Sequence, residues 1–282
     1  MDEQASDPKR YELPLFFGLS LLISWAVWVP EALAHLGYGG AAIGLDSPLM
    51  LLAVWGPGLA ALIVAFLSRR MAGWRDLLRP LRRWRVGWAW YALALLFPAA
   101  VWALGRGIDA LLGRTYVLES PAAAFGAQAA MMLPALILFA LPNTLGEELG
   151  WRGFALPRLL KARTPLIASV LLGLFWGVWH IPTWIAQGLG DEPAGLLLLV
   201  VGIVPLTIIY TWIYNGTSAS LLLVWLFHAA DTVTQYLLPR LPTLTDDALV
   251  WLAALLVIGG RWSVAGGERS MKRHDKRLKA KG

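Results

Sequence analysis

The chain of 282 residues is 58% hydrophobic and only 15% charged, and it contains 16 tryptophans. Soluble domains carry about 25% charged residues, so this composition excludes an ordinary soluble fold. The absence of cysteine also excludes a thiol nucleophile, a cysteine metal site and disulfides. The sequence therefore predicts an all-α, polytopic integral membrane protein, with a single membrane domain over residues 1–282.

Eight apolar runs are long enough to cross a bilayer as helices, which takes about 20 residues each. The runs cover 13–35, 48–68, 87–111, 122–141, 165–187, 194–214, 217–238 and 246–262. Ala32-Leu33-Ala34 resembles a signal-peptidase site, but the apolar run before it is longer than the usual signal-peptide core. We therefore expect the first helix to be retained and the membrane domain to contain about eight transmembrane helices.

Basic residues sort onto one side of this predicted topology. Cytoplasmic loops of membrane proteins collect Lys and Arg, and a cytoplasmic N-terminus leaves only Arg106, Arg114 and Arg240 of the 24 basic residues outside. The sequence thus predicts cytoplasmic N- and C-termini and a basic cytoplasmic tail over 263–282. The compactness of the chain and its short loops favour a bacterial inner (plasma) membrane.

The net charge of +6 is explained by this topology and by attraction to the lipid bilayer, whose inner leaflet is anionic. We expect the Arg-rich loop 69–85, with Trp74 and Trp84, to lie on the inner surface. No nucleic-acid partner is expected, because nothing else in the chain supports one.

Polar residues inside apolar segments concentrate between 147 and 232. A charged side chain in hydrocarbon costs roughly 2.5 to 3.5 kcal/mol, so these residues are functional candidates. Glu148 and Arg152 are four residues apart and share a helix face, whereas Glu147 points about 100° away. A carboxylate without that cation suits a general base. The alternative is that both acids are interfacial charges paired with nearby cations.

Two histidines lie inside predicted helices. His180 follows Trp176 by one turn, and a lone histidine there is more often a packing residue hydrogen-bonded to a backbone carbonyl. His228 precedes Asp231 and Thr232, which lie on its side of the helix and are candidates to fix its imidazole tautomer.

In order along the chain, these residues resemble the motifs of the CPBP family of intramembrane proteases, also called the CAAX protease and bacteriocin-processing (Abi) family. The family pattern is Glu-Glu-x-x-aromatic-Arg, then aromatic-x-x-x-His, then His-x-x-x-Asn. Here the motifs run from Glu147 to Arg152, from Trp176 to His180, and from His228 to Thr232. Trp176 stands where Phe is usual and Thr232 where Asn is usual, with Asp231 one position earlier.

The resemblance implies an intramembrane endopeptidase whose active site lies within the helix bundle and opens toward the cytoplasm. Glu147 would act as general base on a water, Arg152 would brace Glu148, and His180 and His228 would orient the water or stabilise the oxyanion. Asp231 or Thr232 would take the place of the family Asn. The partner would be a peptide or protein substrate, with or without a lipid, since eukaryotic relatives trim prenylated CAAX proteins and some bacterial relatives act in bacteriocin immunity.

A metal site is a separate question. Glu147, His180 and His228 would supply the His₂Glu ligand set of some zinc hydrolases, but the His-Glu-x-x-His spacing of a zinc helix is absent. The interpretation favours catalysis that requires no cofactor, with zinc as the alternative.

Two other functions use the same buried polar residues. In the first, the protein is a non-catalytic membrane immunity or scaffold protein. In the second, it is a proton-relaying transporter, which predicts paired halves with interrupted helices that the sequence lacks.

The predicted helix ends leave one conflict. At about 1.5 Å per residue, His180 lies roughly 22 Å and His228 roughly 16 Å from the cytoplasmic ends of their helices, while Glu147 falls near the surface. For these groups to meet, the fourth helix must lie deeper, bend near Pro134 or Pro142, or be followed by a re-entrant segment within 153–170.

Overall fold

The computed structural model describes residues 9–40, 43, 47–114, 129–189, 193–237 and 244–260. In that part of the chain every regular element is helical. The elements are α1 (Glu12–His35), α2 (Pro48–Val54), α3 (Gly56–Leu78), a 3₁₀ turn (Arg79–Arg82), α4 (Trp88–Leu111), α5 (Ala129–Glu148), a π-helical segment (Leu149–Ala155), α6 (Leu156–Ala162), α7 (Pro165–Ala186), α8 (Pro193–Gly216), α9 (Leu221–Leu237) and α10 (Leu244–Gly259). Arg240 and the predicted basic tail over 263–282 lie outside the described residues.

The all-α, polytopic membrane architecture is confirmed, but the number of eight spans is not. Among the described helices, α1, α4, α7 and α8 are long and apolar enough to cross a membrane. A fifth span results if α2 and α3, which meet at a bend of 59°, count as one. The other predicted runs correspond to α5, α9 and α10, and α9 and α10 have only 17 and 16 residues. That these three cross the bilayer stays a prediction.

The predicted end of the fourth helix at 141 is wrong, and this error caused the depth conflict. Helix α5 continues to Glu148, and the helical path runs on through the π segment and α6 to Ala162. At about 1.5 Å per residue, this path places Glu148 roughly 20 Å from its end. The predicted start of the next helix at 165 is correct, and Thr164 caps it by accepting a hydrogen bond from the Ile167 N–H.

The region expected to be a loop over 69–85 is largely helical. Arg70 has a positive φ of 54° and forms a kink within α3. The residues after it fold back on the first part of α3, so that Trp74 Nε1 donates to the Leu62 carbonyl at 2.8 Å. Trp74 therefore packs inward, whereas Trp84 is 58% exposed.

Glycines bring α5 and the π segment unusually close to the bend between α2 and α3. A Cβ at Gly150 would lie 2.4 Å from Pro57 Cβ, and a Cβ at Gly146 would lie 2.8 Å from the Trp55 ring. Only glycine permits such an approach, as is typical of membrane helix interfaces. The π segment consequently lies at the centre of the protein, and Arg152 within it is fully buried.

A second close contact joins α7 to α8. Ser169, Gly173 and Gly177 repeat at four-residue spacing, so they form one small-residue face of α7. A Cβ at Gly177 would come within 2.8 Å of the Val200 backbone. The tight packing places Trp176 of α7 against Tyr210 of α8, with ring centroids 5.7 Å apart.

Helix α7 is also fixed to α1 by indole hydrogen bonds. Trp179 Nε1 donates to Ser24 Oγ at 2.8 Å, and Trp25 Nε1 donates to the Trp179 carbonyl at 3.0 Å. These contacts hold the helix turn that carries Trp176 and His180.

Candidate active site

Glu148 is a fully buried carboxylate that joins two helical segments. Its Oε1 accepts hydrogen bonds from Arg152 Nη1 at 2.8 Å and from His228 Nδ1 at 2.8 Å. The predicted pairing of Glu148 with Arg152 is therefore present. The second bond is long-range and holds α9 against the end of α5.

Arg152 is enclosed by aromatic faces. Its guanidinium carbon lies 3.8 Å from the centroid of the Tyr210 ring and 4.4 Å from that of Trp176. A desolvated guanidinium gains cation–π stabilisation from such faces. The buried positive charge is thus balanced by one carboxylate and two aromatic rings.

Glu147 has a different environment, as its position one residue earlier predicts. Its Oε2 accepts hydrogen bonds from Trp176 Nε1 at 2.8 Å and from Trp151 Nε1 at 3.4 Å. No cation in the described part of the chain forms an ion pair with it; Arg158, one of the nearby cations, pairs with Glu12 at 2.6 Å instead. Glu147 is 8% exposed, whereas Glu148 is 0% exposed, so of the two carboxylates it is the more accessible to water.

His180 is half-buried on α7. Its Nδ1 lies 2.9 Å from the Trp176 carbonyl, and because a carbonyl only accepts, Nδ1 carries the proton. The ring stacks on Trp184 at 5.1 Å with an interplanar angle of 13°. The expected backbone-carbonyl partner of this histidine is therefore present, and its Nε2 has no hydrogen-bond partner among the described residues.

The Trp176 indole brings the predicted site residues together. Besides bonding Glu147, it lies against the imidazoles of His228 and His180, with ring centroids 5.5 and 5.7 Å away. One side chain thus contacts the free carboxylate, both histidines and Arg152. The predicted difference in depth between Glu147 and the histidines does not exist.

Asp231 and Thr232 do not join this group. The expectation that one of them fixes the His228 tautomer is wrong, because Glu148 occupies Nδ1. The carboxylate of Asp231 accepts a hydrogen bond from Gln235 Nε2 at 2.6 Å. The Thr232 hydroxyl makes no hydrogen bond within the described residues. Their proposed role as substitutes for the family Asn stays a prediction.

Tyr210 is a site residue that the sequence did not reveal. It is fully buried, and its hydroxyl has no hydrogen-bond partner among the described residues. Its ring contacts Arg152 and lies 5.7 Å from His228, centroid to centroid. No motif marks this tyrosine within the apolar run 194–214. The one available signal in the sequence was a hydroxyl group inside a predicted membrane helix.

The donor set does not fit a metal ion as it stands. No group of three or more His, Asp or Glu side chains in the described ranges is arranged to hold one. Nδ1 of His228 is engaged by Glu148 and Nδ1 of His180 by a backbone carbonyl, so Nε2 would be the nitrogen of each histidine that could bind a metal.

Comparison with known proteins agrees with these motifs. Residues 127–234 match the family model described as "Type II CAAX prenyl endopeptidase Rce1-like". Over 112 residues the chain is 33% identical to CAAX prenyl protease 2 of Methanococcus maripaludis, an alignment that covers 38% of this chain. Residues 127–234 are thus similar to the CAAX protease (CPBP) family.

The family segment encloses all the predicted site residues and reaches from the start of α5 into α9. Helices α1 to α4 and α10 lie outside it. The alignment spans 41% of the length of the M. maripaludis protein, so the shared region is the helical core around Glu147 and His228.

Proposed function

We propose that this protein is an intramembrane endopeptidase that hydrolyses a peptide bond with water activated by Glu147. The observation that supports it most strongly is the contrast between two adjacent glutamates. Glu148 is neutralised by Arg152 and His228, whereas Glu147 meets only indole N–H groups and keeps some exposure. A carboxylate held in place without a cation is free to accept a proton.

In the proposed reaction, Glu147 takes a proton from a water molecule as the water oxygen attacks the scissile carbonyl carbon. The carbonyl π bond breaks and leaves a negative charge on the oxygen of the tetrahedral intermediate. When that intermediate collapses, the C–N bond breaks and the proton passes from Glu147 to the leaving amine. The carboxylate is thereby restored.

The histidines are proposed to act on the substrate oxygens. In both, Nδ1 is held by a partner, so Nε2 is the nitrogen available to substrate or water. As an imidazolium, His228 donates to the developing oxyanion while Glu148 balances its charge. Such donors contribute roughly 2.7 to 4 kcal/mol in comparable sites. His180 orients the attacking water.

The decisive test compares Glu147→Gln with wild type on peptide substrates in detergent or nanodiscs. The amide keeps the size of the side chain but cannot act as a base, so we expect a loss of roughly 10³-fold in kcat/KM with unchanged folding. Asp76→Asn is the matched control, because it removes the same charge from an exposed surface pair with Arg69 and should leave activity intact.

The same variant separates the catalytic function from the alternative of an immunity or scaffold protein. The enzymatic proposal fails if Glu147→Gln cleaves peptides as fast as wild type does. It also fails if Glu147→Gln keeps full biological function and neither it nor wild type cleaves any substrate. Matched farnesylated and unmodified peptides ending in CAAX would establish whether the substrate resembles that implied by the name of the M. maripaludis relative.

We further propose that the reaction does not require a metal. Prolonged incubation with EDTA or 1,10-phenanthroline, followed by removal of the chelator, should leave the cleavage rate within about twofold. Loss of activity that zinc restores would overturn this part of the proposal and would imply that Glu147, His180 and His228 rearrange to form a His₂Glu site.

Cytoplasmic termini and an active site that opens to the cytoplasm remain part of the proposal. Since the chain has no cysteine, a single introduced cysteine reports its own side of the membrane. A membrane-impermeant maleimide should label Arg85→Cys only after the cells are permeabilised, which makes the cytoplasmic face accessible. It should label Gly113→Cys in intact cells. The reverse pattern would overturn the orientation.

A further inference from the structure

A basic cleft lies between the chain after α3 and the turn that joins α8 to α9. It has a volume of about 600 Å³ and is lined by Arg82, Arg83, Trp84, Arg85, Val86, Thr217 and Ser218. Ligand sites commonly have volumes of about 300 to 1,000 Å³, so the cleft is large enough for a small polar molecule or a lipid headgroup.

The positive charge of this cleft is not balanced by protein carboxylates. No Asp or Glu occurs at 77–108 or at 193–230, the stretches that contribute the walls. Elsewhere arginines meet acids, as in Arg158–Glu12 and Arg69–Asp76. Arg82 makes no ion pair or hydrogen bond among the described residues, and Arg85 lies over the Trp84 ring at 5.1 Å.

Hydrogen bonds hold the wall of the cleft in a defined conformation. Arg83 Nη1 donates to the carbonyls of Ser218 at 2.6 Å and Ala219 at 3.3 Å, and Ser220 Oγ donates to the Arg83 carbonyl at 2.6 Å. Ser218 and Ala219 have positive φ angles of 55° and 63° in this turn. The bonds fix the turn beside the basic chain and leave Arg82 and Arg85 at the rim.

Exposed tryptophans indicate what surrounds the cleft. Trp84 is 58% and Trp88 is 82% exposed, and the Tyr91 hydroxyl donates to the Trp84 carbonyl at 2.7 Å. Trp and Tyr of membrane proteins concentrate at the level of the lipid headgroups. The arginine side chains therefore lie at the depth where phosphates of the same leaflet are found.

We propose that this cleft binds the headgroup of an anionic phospholipid. Guanidinium groups of Arg82 and Arg85 would bond the phosphate oxygens, an arrangement that the planar fork of arginine favours, while Trp84 and Trp88 would contact the glycerol backbone and acyl chains. The bound lipid would hold the α8–α9 turn, and hence the start of the helix that carries His228.

The test uses the full chain in nanodiscs of dioleoylphosphatidylcholine with one tenth dioleoylphosphatidylglycerol, and native mass spectrometry to count the lipids that stay bound. Wild type should retain phosphatidylglycerol in preference to phosphatidylcholine. The Arg82→Gln/Arg85→Gln variant should weaken retention roughly fivefold for each arginine removed. Trp84→Leu should also weaken it without any change of charge.

The Arg75→Gln/Arg163→Gln variant is the control, because it removes the same charge from exposed residues that do not line the cleft. An equal loss of phosphatidylglycerol in both double variants would overturn the proposal, since it would reflect net charge alone. Displacement of the lipid by millimolar inorganic phosphate would also overturn it and would assign the cleft to a soluble phosphate. Gel filtration and thermal unfolding establish that each variant is folded.

Discussion

Two clusters of buried charge lie at different places in this helix bundle. Between α4 and α10, Arg106 bonds Asp246 at 2.7 Å and Asp109 at 3.1 Å, and Thr245 Oγ1 donates to Asp109 at 2.6 Å. At the end of α5, Glu148 is bonded by Arg152 and His228, with Glu147 beside them.

The clusters differ in how completely their acids are paired. Each carboxylate of the α4–α10 cluster meets an arginine, so the cluster ties two helices together. In the α5 cluster, Glu147 has no cationic partner among the described residues. Buried side-chain atoms without a hydrogen bond occur in both clusters, for instance Asp109 Oδ2 in one and the Tyr210 hydroxyl in the other, so the difference lies in the pairing of the acids. Acids paired with arginine serve structure, whereas a buried carboxylate held without a cation is typical of a functional site.

Replacement of Arg152 by Gln should have the largest effect, because the α5 cluster then loses both structure and function. The change leaves Glu148 buried without its arginine. Removal of one partner of a buried ion pair lowers the free energy of unfolding by about 4 kcal/mol. We expect cleavage to fall at least roughly 100-fold, since Glu148 no longer holds His228 in place. Unfolding in a denaturant titration and a peptide cleavage assay measure the two effects, and Arg75→Gln is the surface control.

Replacement of Arg106 by Gln should separate the two clusters. Asp109 and the half-buried Asp246 would be left with weaker partners, so the free energy of unfolding should fall, but by less than in Arg152→Gln. Cleavage by the folded fraction should stay within about threefold of wild type, because Arg106 has no contact with the α5 cluster. A larger loss in kcat, with the variant still folded, would contradict a purely structural role.

The sequence was a good guide to the α5 cluster because its key pair is local. Glu148 and Arg152 are separated by one helical turn, and their pairing follows from helix geometry alone. The positions of His180 and His228 inside apolar runs also marked them as candidate site residues. Their meeting at Trp176 depends on how α7, α8 and α9 pack together, since Tyr210 of α8 contacts both Trp176 and His228, and no short motif encodes that packing.

Other features could not be read from the sequence for physical reasons. The helical path continues beyond the end at 141 that hydropathy suggested, through Glu148 and the π segment, and the bend at Trp55 divides a single apolar run into α2 and α3. The bond from His228 to Glu148 spans 80 positions, so Asp231, which is local, was the natural but incorrect partner. Long-range contacts decided these outcomes.

Gly150→Ala tests whether the close approach of the π segment to α3 sets the geometry of the α5 cluster. A methyl group there would lie 2.4 Å from Pro57 Cβ and 2.7 Å from the Pro57 backbone, so the π segment must shift away from α3. Overpacking of this kind costs about 2 kcal/mol, and cleavage should fall by about tenfold as Glu147 moves relative to Trp176. Gly202→Ala is the matched control, since nothing lies within 4 Å of its added Cβ and alanine favours helix. If the two variants are equally stable and active, the close packing has no such role.

The smallest expected change is also the one that best distinguishes the clusters. A buried hydroxyl without a hydrogen bond is unfavourable, so Tyr210→Phe should raise the free energy of unfolding by about 1 kcal/mol. The ring remains, and with it the cation–π contact to Arg152 at 3.8 Å. If the hydroxyl bonds the substrate or its oxyanion, kcat should nevertheless fall by about tenfold while KM changes little. A variant that is more stable and less active would mean that the protein retains an unfavourable group for its chemistry. A variant that is more stable and equally active would remove Tyr210 from the site and leave Glu147, His180 and His228 as its reactive groups.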